Sequence, residues 1–117
     1  MSNKDHWEAQ LKKYDDLVAM TNKFERLGKT MPYTSANTHM FSLLNKDGEF
    51  GIRLSKDSQE AFKGKYNTTI FKSYGAVMRD YVLVPAEMLD SPKTLFPYLM
   101  ESYEYVMSLK PNPRKKK

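Results

Sequence analysis

The four residues Asn45-Lys46-Asp47-Gly48 constrain the fold of this chain more than any other feature. The Asp-Gly pair supplies the positive φ that a tight turn needs between two β-rich segments, here residues 38–44 and 49–54. In the second segment apolar residues alternate with polar residues or glycine, as in a strand with one buried face. The sequence therefore predicts an antiparallel hairpin over residues 38–54.

Two amphipathic segments lie on either side of this hairpin. In residues 4–27 the apolar positions recur every three or four residues, which predicts a helix, and Gly28 follows where a C-cap glycine is expected. Near the other end, Ser91 and Pro92 provide an N-cap and a first helical residue. We therefore expect a closing helix over residues 93–109.

Shorter elements are expected between the hairpin and the closing helix. A serine N-cap predicts a helix over residues 55–65 that buries Ala61 and Phe62. Residues 79–84 have the composition of a strand, which ends at Pro85 because proline lacks the backbone donor that a sheet requires.

The order of these elements predicts the fold class. Residues 29–35 are expected to form a short edge strand, and residues 67–73 a loop or weak strand. Helices alternating with strands in this order predict an α+β fold, a two-layer antiparallel sheet with helices packed on it. Residues 1–110 form a single domain in this interpretation, and residues 111–117 a disordered basic tail.

The closing helix is apolar over an arc of about 220°, more than one sheet face covers. The additional surface is expected to pack against the first helix or against a second copy of the chain. Aromatic and methionine side chains at the two edges of the arc make a candidate partner surface: Tyr98, Tyr105, Met100 and Met107.

Methionine is abundant, with eight residues in 117. Seven of them lie at helical or strand spacing, where they either fill the core or line an adaptable surface for a partner protein. They are Met20, Met31, Met40, Met78, Met88, Met100 and Met107.

The net charge of +5 raises the alternative of nucleic-acid binding. Of 19 basic residues four lie in the tail, so the remaining 15 nearly balance the 14 acidic residues. The candidate phosphate contacts are Lys63, Lys65, Lys72, Arg114, Lys115, Lys116 and Lys117. This alternative predicts an affinity that falls steeply with salt.

Residues that carry enzymatic chemistry are scarce. The chain has no cysteine and two histidines, His6 and His39, and no glycine-rich phosphate loop or nucleophile elbow. We expect no enzymatic activity, no cofactor and no bound metal. The longest apolar runs have four residues, so we also expect no membrane span and a cytoplasmic location.

Two stretches resemble the N-terminal domain family of the TfoX/Sxy competence regulators. The first runs from Met40-Phe41 to Phe50-Gly51-Ile52-Arg53-Leu54-Ser55, and the second is Tyr74-Gly75-Ala76-Val77-Met78-Arg79-Asp80-Tyr81-Val82-Leu83-Val84-Pro85. The resemblance extends from about residue 8 to residue 109. Met31-Pro32-Tyr33 departs from it, because many members have Met-Phe-Gly there.

The resemblance implies a two-layer α+β fold similar to secretion chaperones and no known enzymatic activity. It also implies a role in transcriptional control, with a cyclic-AMP receptor protein as the family's partner. We therefore expect a regulatory or protein-interaction module whose partner is a protein, either a transcription factor or a second copy of the chain.

Overall fold

The structure is a computed structural model, and it describes residues 3–73 and 76–111. Helices and strands alternate in these residues in the predicted order. They are α1 (Asn3–Val18), β1 (Tyr33–Ala36), β2 (His39–Leu44), β3 (Phe50–Arg53), α2 (Lys56–Tyr66), β4 (Ile70–Ser73), β5 (Ala76–Val84), α3 (Ala86–Leu89) and α4 (Pro92–Met107). The predicted α+β class is confirmed.

The strands form an antiparallel sheet in the order β1-β2-β3-β5-β4. The predicted hairpin is present as β2 and β3, in which Ser42 pairs with Ile52 and Leu44 with Phe50. Gly48 has φ +82°, as the turn chemistry predicts. A bulge in β2 places both Phe41 and Ser42 toward the helices, because only one residue of β1 lies opposite them.

The first helix is shorter than predicted, because α1 ends at Val18 and the expected helix over residues 4–27 is wrong beyond that point. After the helix the chain folds back, and the Phe24 ring packs at 4.9 Å from that of Phe41. Arg26 Nε donates to Asp15 Oδ1 at 2.7 Å and holds the returning loop against the helix. These tertiary contacts override a helical pattern in the sequence.

The second helix begins as expected, since the Ser55 hydroxyl accepts a hydrogen bond from the Ser58 amide. It ends at Asn67, which adopts a left-handed conformation with φ +55°. Phe62 is buried as predicted, but Ala61 is exposed. Ala61 lies about 100° around the helix from Phe62, and the sheet covers only the Phe62 side.

One face of the sheet is covered by the helices, and the residues buried between them form the principal core. Its members are Tyr14, Leu17, Val18, Phe24, Phe41, Leu44, Phe50, Ile52, Leu54, Phe62, Val82, Val84, Met88, Leu89, Leu95, Leu99 and Val106. Helix α4 lies over β1, β2 and β3, while α1 and α3 pack beside it. The first of the two alternatives for the wide apolar arc therefore accounts for much of it, since α1 and its loop pack against α4.

The opposite, outer face of the sheet has a second and smaller apolar cluster, centred on Leu43, Phe71 and Tyr81. The Phe71 side chain of β4 reaches across β5 and lies against Gly51 of β3. The carbonyl of Lys72 accepts a hydrogen bond from Asn45 Nδ2 at 2.9 Å, which ties β4 to the β2–β3 turn. We call this group the outer cluster.

Tyr74 and Gly75, which belong to the family resemblance, and the basic tail beyond Pro111 lie outside the described residues. Within the described residues, no helix combines the length and the apolar character that a membrane crossing requires.

Candidate functional site

A cleft of about 270 Å³ lies between the start of α1, the β2–β3 turn and the β5–α3 connection. Its base is apolar and largely buried, and its rim is polar. The base residues are Phe50, Leu83, Val84, Pro85, Ala86 and Leu89, and the rim residues are His6, Gln10, Asp47, Gly48 and Glu49. We call it the α1–turn cleft.

Asn45 holds the rim of the α1–turn cleft in place. Its Oδ1 accepts hydrogen bonds from the backbone amides of Asp47 at 3.0 Å and Glu49 at 2.9 Å. Its Nδ2 donates to Glu49 Oε1 at 3.1 Å and to the carbonyl of Lys72. Asn45 is 2% exposed, and its hydrogen bonds fix the backbone of the turn and the Glu49 carboxylate.

The turn packs tightly against α1. A side chain at Gly48 would place its Cβ 2.7 Å from His6 Cδ2, and the left-handed φ of Gly48 also favours glycine. His6 and Gln10 are four residues apart and therefore lie on the same face of the helix, toward the turn. The sequence predicts the turn and the helix separately, and tertiary packing brings them together.

Gln10 is a buried polar residue on this rim, with 4% of its surface exposed. Its Oε1 accepts a hydrogen bond from Lys13 Nζ at 3.1 Å, and the same ammonium lies 2.6 Å from Asp90 Oδ1. The contact with Lys13 fixes the orientation of the Gln10 amide. Its Nε2 has no hydrogen-bond partner among the described residues and remains a donor for the cleft.

The carboxylates of Asp47 and Glu49 are exposed, and neither forms a salt bridge within residues 3–73 and 76–111. The same part of the chain has no group of three His, Cys, Asp or Glu side chains arranged to hold a metal ion. The α1–turn cleft thus combines acceptors, one amide donor and an apolar base. A site with these groups can bind a ligand or a side chain of another protein through polar and apolar contacts.

A wider groove of about 430 Å³ lies where the chain leaves α1. Its charged residues Asp15 and Arg26 already pair with each other at 2.7 Å. Because these groups are satisfied within the chain, the groove offers a ligand less than the α1–turn cleft does.

The candidate partner surface on α4 separates into two sides of the helix. Tyr98 packs edge-on against Phe62 at 5.1 Å, and the guanidinium of Arg53 lies 5.9 Å from the ring centroid of Tyr105. Met100 is half-buried against the principal core. Met107 is 49% exposed and lies about half a turn away from the tyrosines.

The structure brings two of the predicted site residues together, Lys65 and Tyr98. The Lys65 ammonium lies 5.5 Å from the ring centroid of Tyr66, whose hydroxyl is 3.1 Å from that of Tyr98. The Tyr66 phenol, and to a smaller extent Tyr98, raises the pKa of Lys65. A groove of about 100 Å³ between α2 and α4 adjoins this group, and we call it the α2–α4 groove.

The other candidate phosphate contacts are distributed over separate elements. Lys63 pairs with Glu60 at 3.3 Å on α2, and Lys72 is exposed on β4. The four basic residues Arg114, Lys115, Lys116 and Lys117 lie outside the described residues.

Sequence reasoning did not identify the α1–turn cleft. His6 falls inside the predicted helix over residues 4–27, and Asp47 inside the predicted hairpin turn. The one available signal was the spacing of His6 and Gln10 on a helix face. Comparison of the chain with models of known protein families gives no match, and comparison with curated protein sequences gives none either.

Proposed function

We propose that this chain is a non-catalytic protein-interaction module that binds a partner protein at the α1–turn cleft. The cleft itself is the observation that carries the proposal. Its volume of about 270 Å³ is slightly below the range of ~300–1,000 Å³ typical of pockets for drug-sized ligands. It suits one side chain of a partner together with the adjoining backbone.

The cleft is built on rigid parts of the fold. Phe50 and Val84 belong to the principal core, and Asn45 fixes the turn through four hydrogen bonds. A preformed site loses little conformational freedom when a partner binds, which favours affinity.

We further propose a role in transcriptional control like that of the TfoX/Sxy N-terminal domain family. The order of elements supports the resemblance. Met40 and Phe41 lie in the hairpin, β3 leads into a short helix, and β5 ends just before Pro85. Nucleic-acid binding stays a prediction, because four of its seven candidate contacts lie outside the described residues.

The test is quantitative affinity capture with two filled-cavity variants. Ala86→Trp places a large ring in the α1–turn cleft, and Ala61→Trp places the same ring in the α2–α4 groove. Both alanines are exposed, so both variants should fold, which thermal melting checks. We expect wild type and Ala61→Trp to capture the same partner proteins. The amount captured by Ala86→Trp should be lower by at least about tenfold.

Retention of the same proteins by Ala86→Trp contradicts the proposal. Loss with Ala61→Trp alone assigns binding to the α2–α4 groove instead. If the captured proteins are lost on nuclease treatment, and if their capture requires residues 111–117, the result supports nucleic-acid binding.

A further inference from the structure

Resting on the proposed function, we propose that the α1–turn cleft recognises a lysine or arginine residue of the partner polypeptide. The basic head group lies at Asp47 and Glu49, and the amide of Gln10 donates to a backbone carbonyl of the same segment.

The charge at the rim favours a cation. Asp47 and Glu49 are two residues apart on one turn, and no cation among the described residues pairs with either. Asn45 Nδ2 binds Glu49 Oε1, which directs this carboxylate while Oε2 stays available. Two unpaired carboxylates on the rim of one cleft attract an ammonium or guanidinium group.

The apolar base selects a cation that has a long alkyl stem. An exposed ion pair alone stabilises a complex by less than about 1 kcal/mol, so the carboxylates need additional contact area. Leu83, Pro85 and Leu89 provide an apolar wall beneath the rim. Lysine and arginine lay their methylene groups on such a wall and keep the charged head in water.

The Gln10 amide distinguishes a polypeptide from a free amine. Its Oε1 is held by Lys13, so the group that it offers to the cleft is the Nε2 donor. An ammonium ion has no acceptor for this donor, whereas a peptide has a carbonyl beside every side chain. Gln10 is nearly fully buried as a residue, and a bound peptide carbonyl would give its Nε2 an acceptor.

The test is an NMR titration of the ¹⁵N-labelled full chain with three small probes. Acetyl-lysine-N-methylamide has both the cation and the carbonyls, its norleucine analogue lacks the cation, and n-pentylamine lacks the carbonyls. We expect the lysine probe to shift the amides of Gly48, Glu49 and Ala86 and the side-chain NH₂ of Gln10. The other two probes should bind about fivefold more weakly.

Two double variants of equal charge change sharpen the result. Asp47→Asn with Glu49→Gln should remove the preference for lysine over norleucine. Asp16→Asn with Glu104→Gln changes exposed carboxylates elsewhere on α1 and α4 and should leave the preference unchanged. Melting temperatures confirm that both variants are folded.

Three results overturn the inference: no shift at 50 mM of the lysine probe, equal binding of the norleucine probe, or equal effects of the two double variants. If the lysine probe fails while Ala86→Trp still abolishes partner capture, the proposed function stands and the basic-residue inference falls. If the lysine probe binds while Ala86→Trp captures normally, the proposed function falls.

Discussion

The two faces of the sheet are buried in different ways. On the helix-covered face, residues far apart in sequence meet in the principal core, where the rings of Phe24, Phe41 and Tyr103 pack against one another. On the outer face, the Phe71 ring of β4 lies against Gly51 of β3, and Asn45 donates to the carbonyl of Lys72. The first face thus depends on helices from both ends of the chain, and the second on side chains of the strands and of the loop before β1.

The two faces of the sheet therefore differ in the free energy needed to open them. A face covered by several helices opens only when the protein unfolds, while a small cluster that relies on the edge strand β4 can open locally at a lower free energy. Asp80 adds to the contrast, because its φ of +74° is unfavourable for a residue with a side chain. It lies where β5 shifts its register against β4.

The largest changes in stability are expected from removing two fully buried phenylalanines, Phe41 in the principal core and Phe71 in the outer cluster. We expect Phe41→Ala to lower the free energy of unfolding by about 4 kcal/mol. Phe71→Ala should lower it by about 2 kcal/mol, because the hairpin can collapse onto the space. Urea unfolding measures both, and hydrogen exchange should accelerate only around β4 and β5 in Phe71→Ala. Equal losses of unfolding free energy in the two variants would contradict this difference between the faces.

A smaller change in stability is expected at Gly51, where the absence of a side chain makes room for the Phe71 ring. A Cβ at Gly51 would lie 2.5 Å from that ring, so Gly51→Ala should destabilise the protein by about 2 kcal/mol. Gly64→Ala is the matched control, because the α2 helix leaves open space there. The control should gain about 0.5–1 kcal/mol from helix propensity. Thermal melting in which both variants shift the same way would contradict the assignment.

The smallest effect concerns two tyrosine hydroxyls, one on each face. Tyr14 OH lies 2.6 Å from Ser42 Oγ beneath α1, and Tyr81 OH donates to the carbonyl of Met40 at 2.7 Å. Removing either with phenylalanine should cost about 1 kcal/mol at neutral pH. Urea unfolding of both variants at pH 7 checks this.

The same tyrosines predict a dependence on alkaline pH. Burial raises the pKa of both phenols above the usual value of about 10. The unfolded chain therefore ionises first, so this contribution to stability is complete below about pH 10 and is lost as the pH rises above it. Unfolding between pH 8 and 11 should show a shallower decline in Tyr14→Phe and Tyr81→Phe than in wild type. An unchanged slope in both variants would contradict the cause.

The parts of the fold that sequence predicts are those with local causes. The hairpin follows from the Asp-Gly turn and α2 from the serine cap, and both are present. The end of α1 was missed because Phe24 leaves the helix for contacts with residues of β2 and α4. No pattern near Phe24 encodes those distant partners.

The site was less predictable than the fold. The apolar run of residues 81–84 contributes to both faces of the sheet, with Val82 and Val84 in the principal core and Tyr81 in the outer cluster. The α1–turn cleft has no such pattern, because His6, Asp47 and Leu83 come from three elements that meet only in the folded protein. Tyr98 and Tyr105 are predicted as a partner surface because they lie at one edge of the apolar arc of α4, but they contact Phe62 and Arg53 of this chain.

The end of α4 is anchored at a fixed place. Asn37 Nδ2 donates to the carbonyls of Val106 and Leu109, and the His39 ring hydrogen-bonds to the carbonyl of Lys110. This anchor lies at the start of β2, whereas the cleft lies beyond its end, roughly 20 Å away along six strand residues. A fluorophore or sensor-chip linkage attached after Pro111 therefore starts at the far end of β2 and leaves the cleft facing the solution.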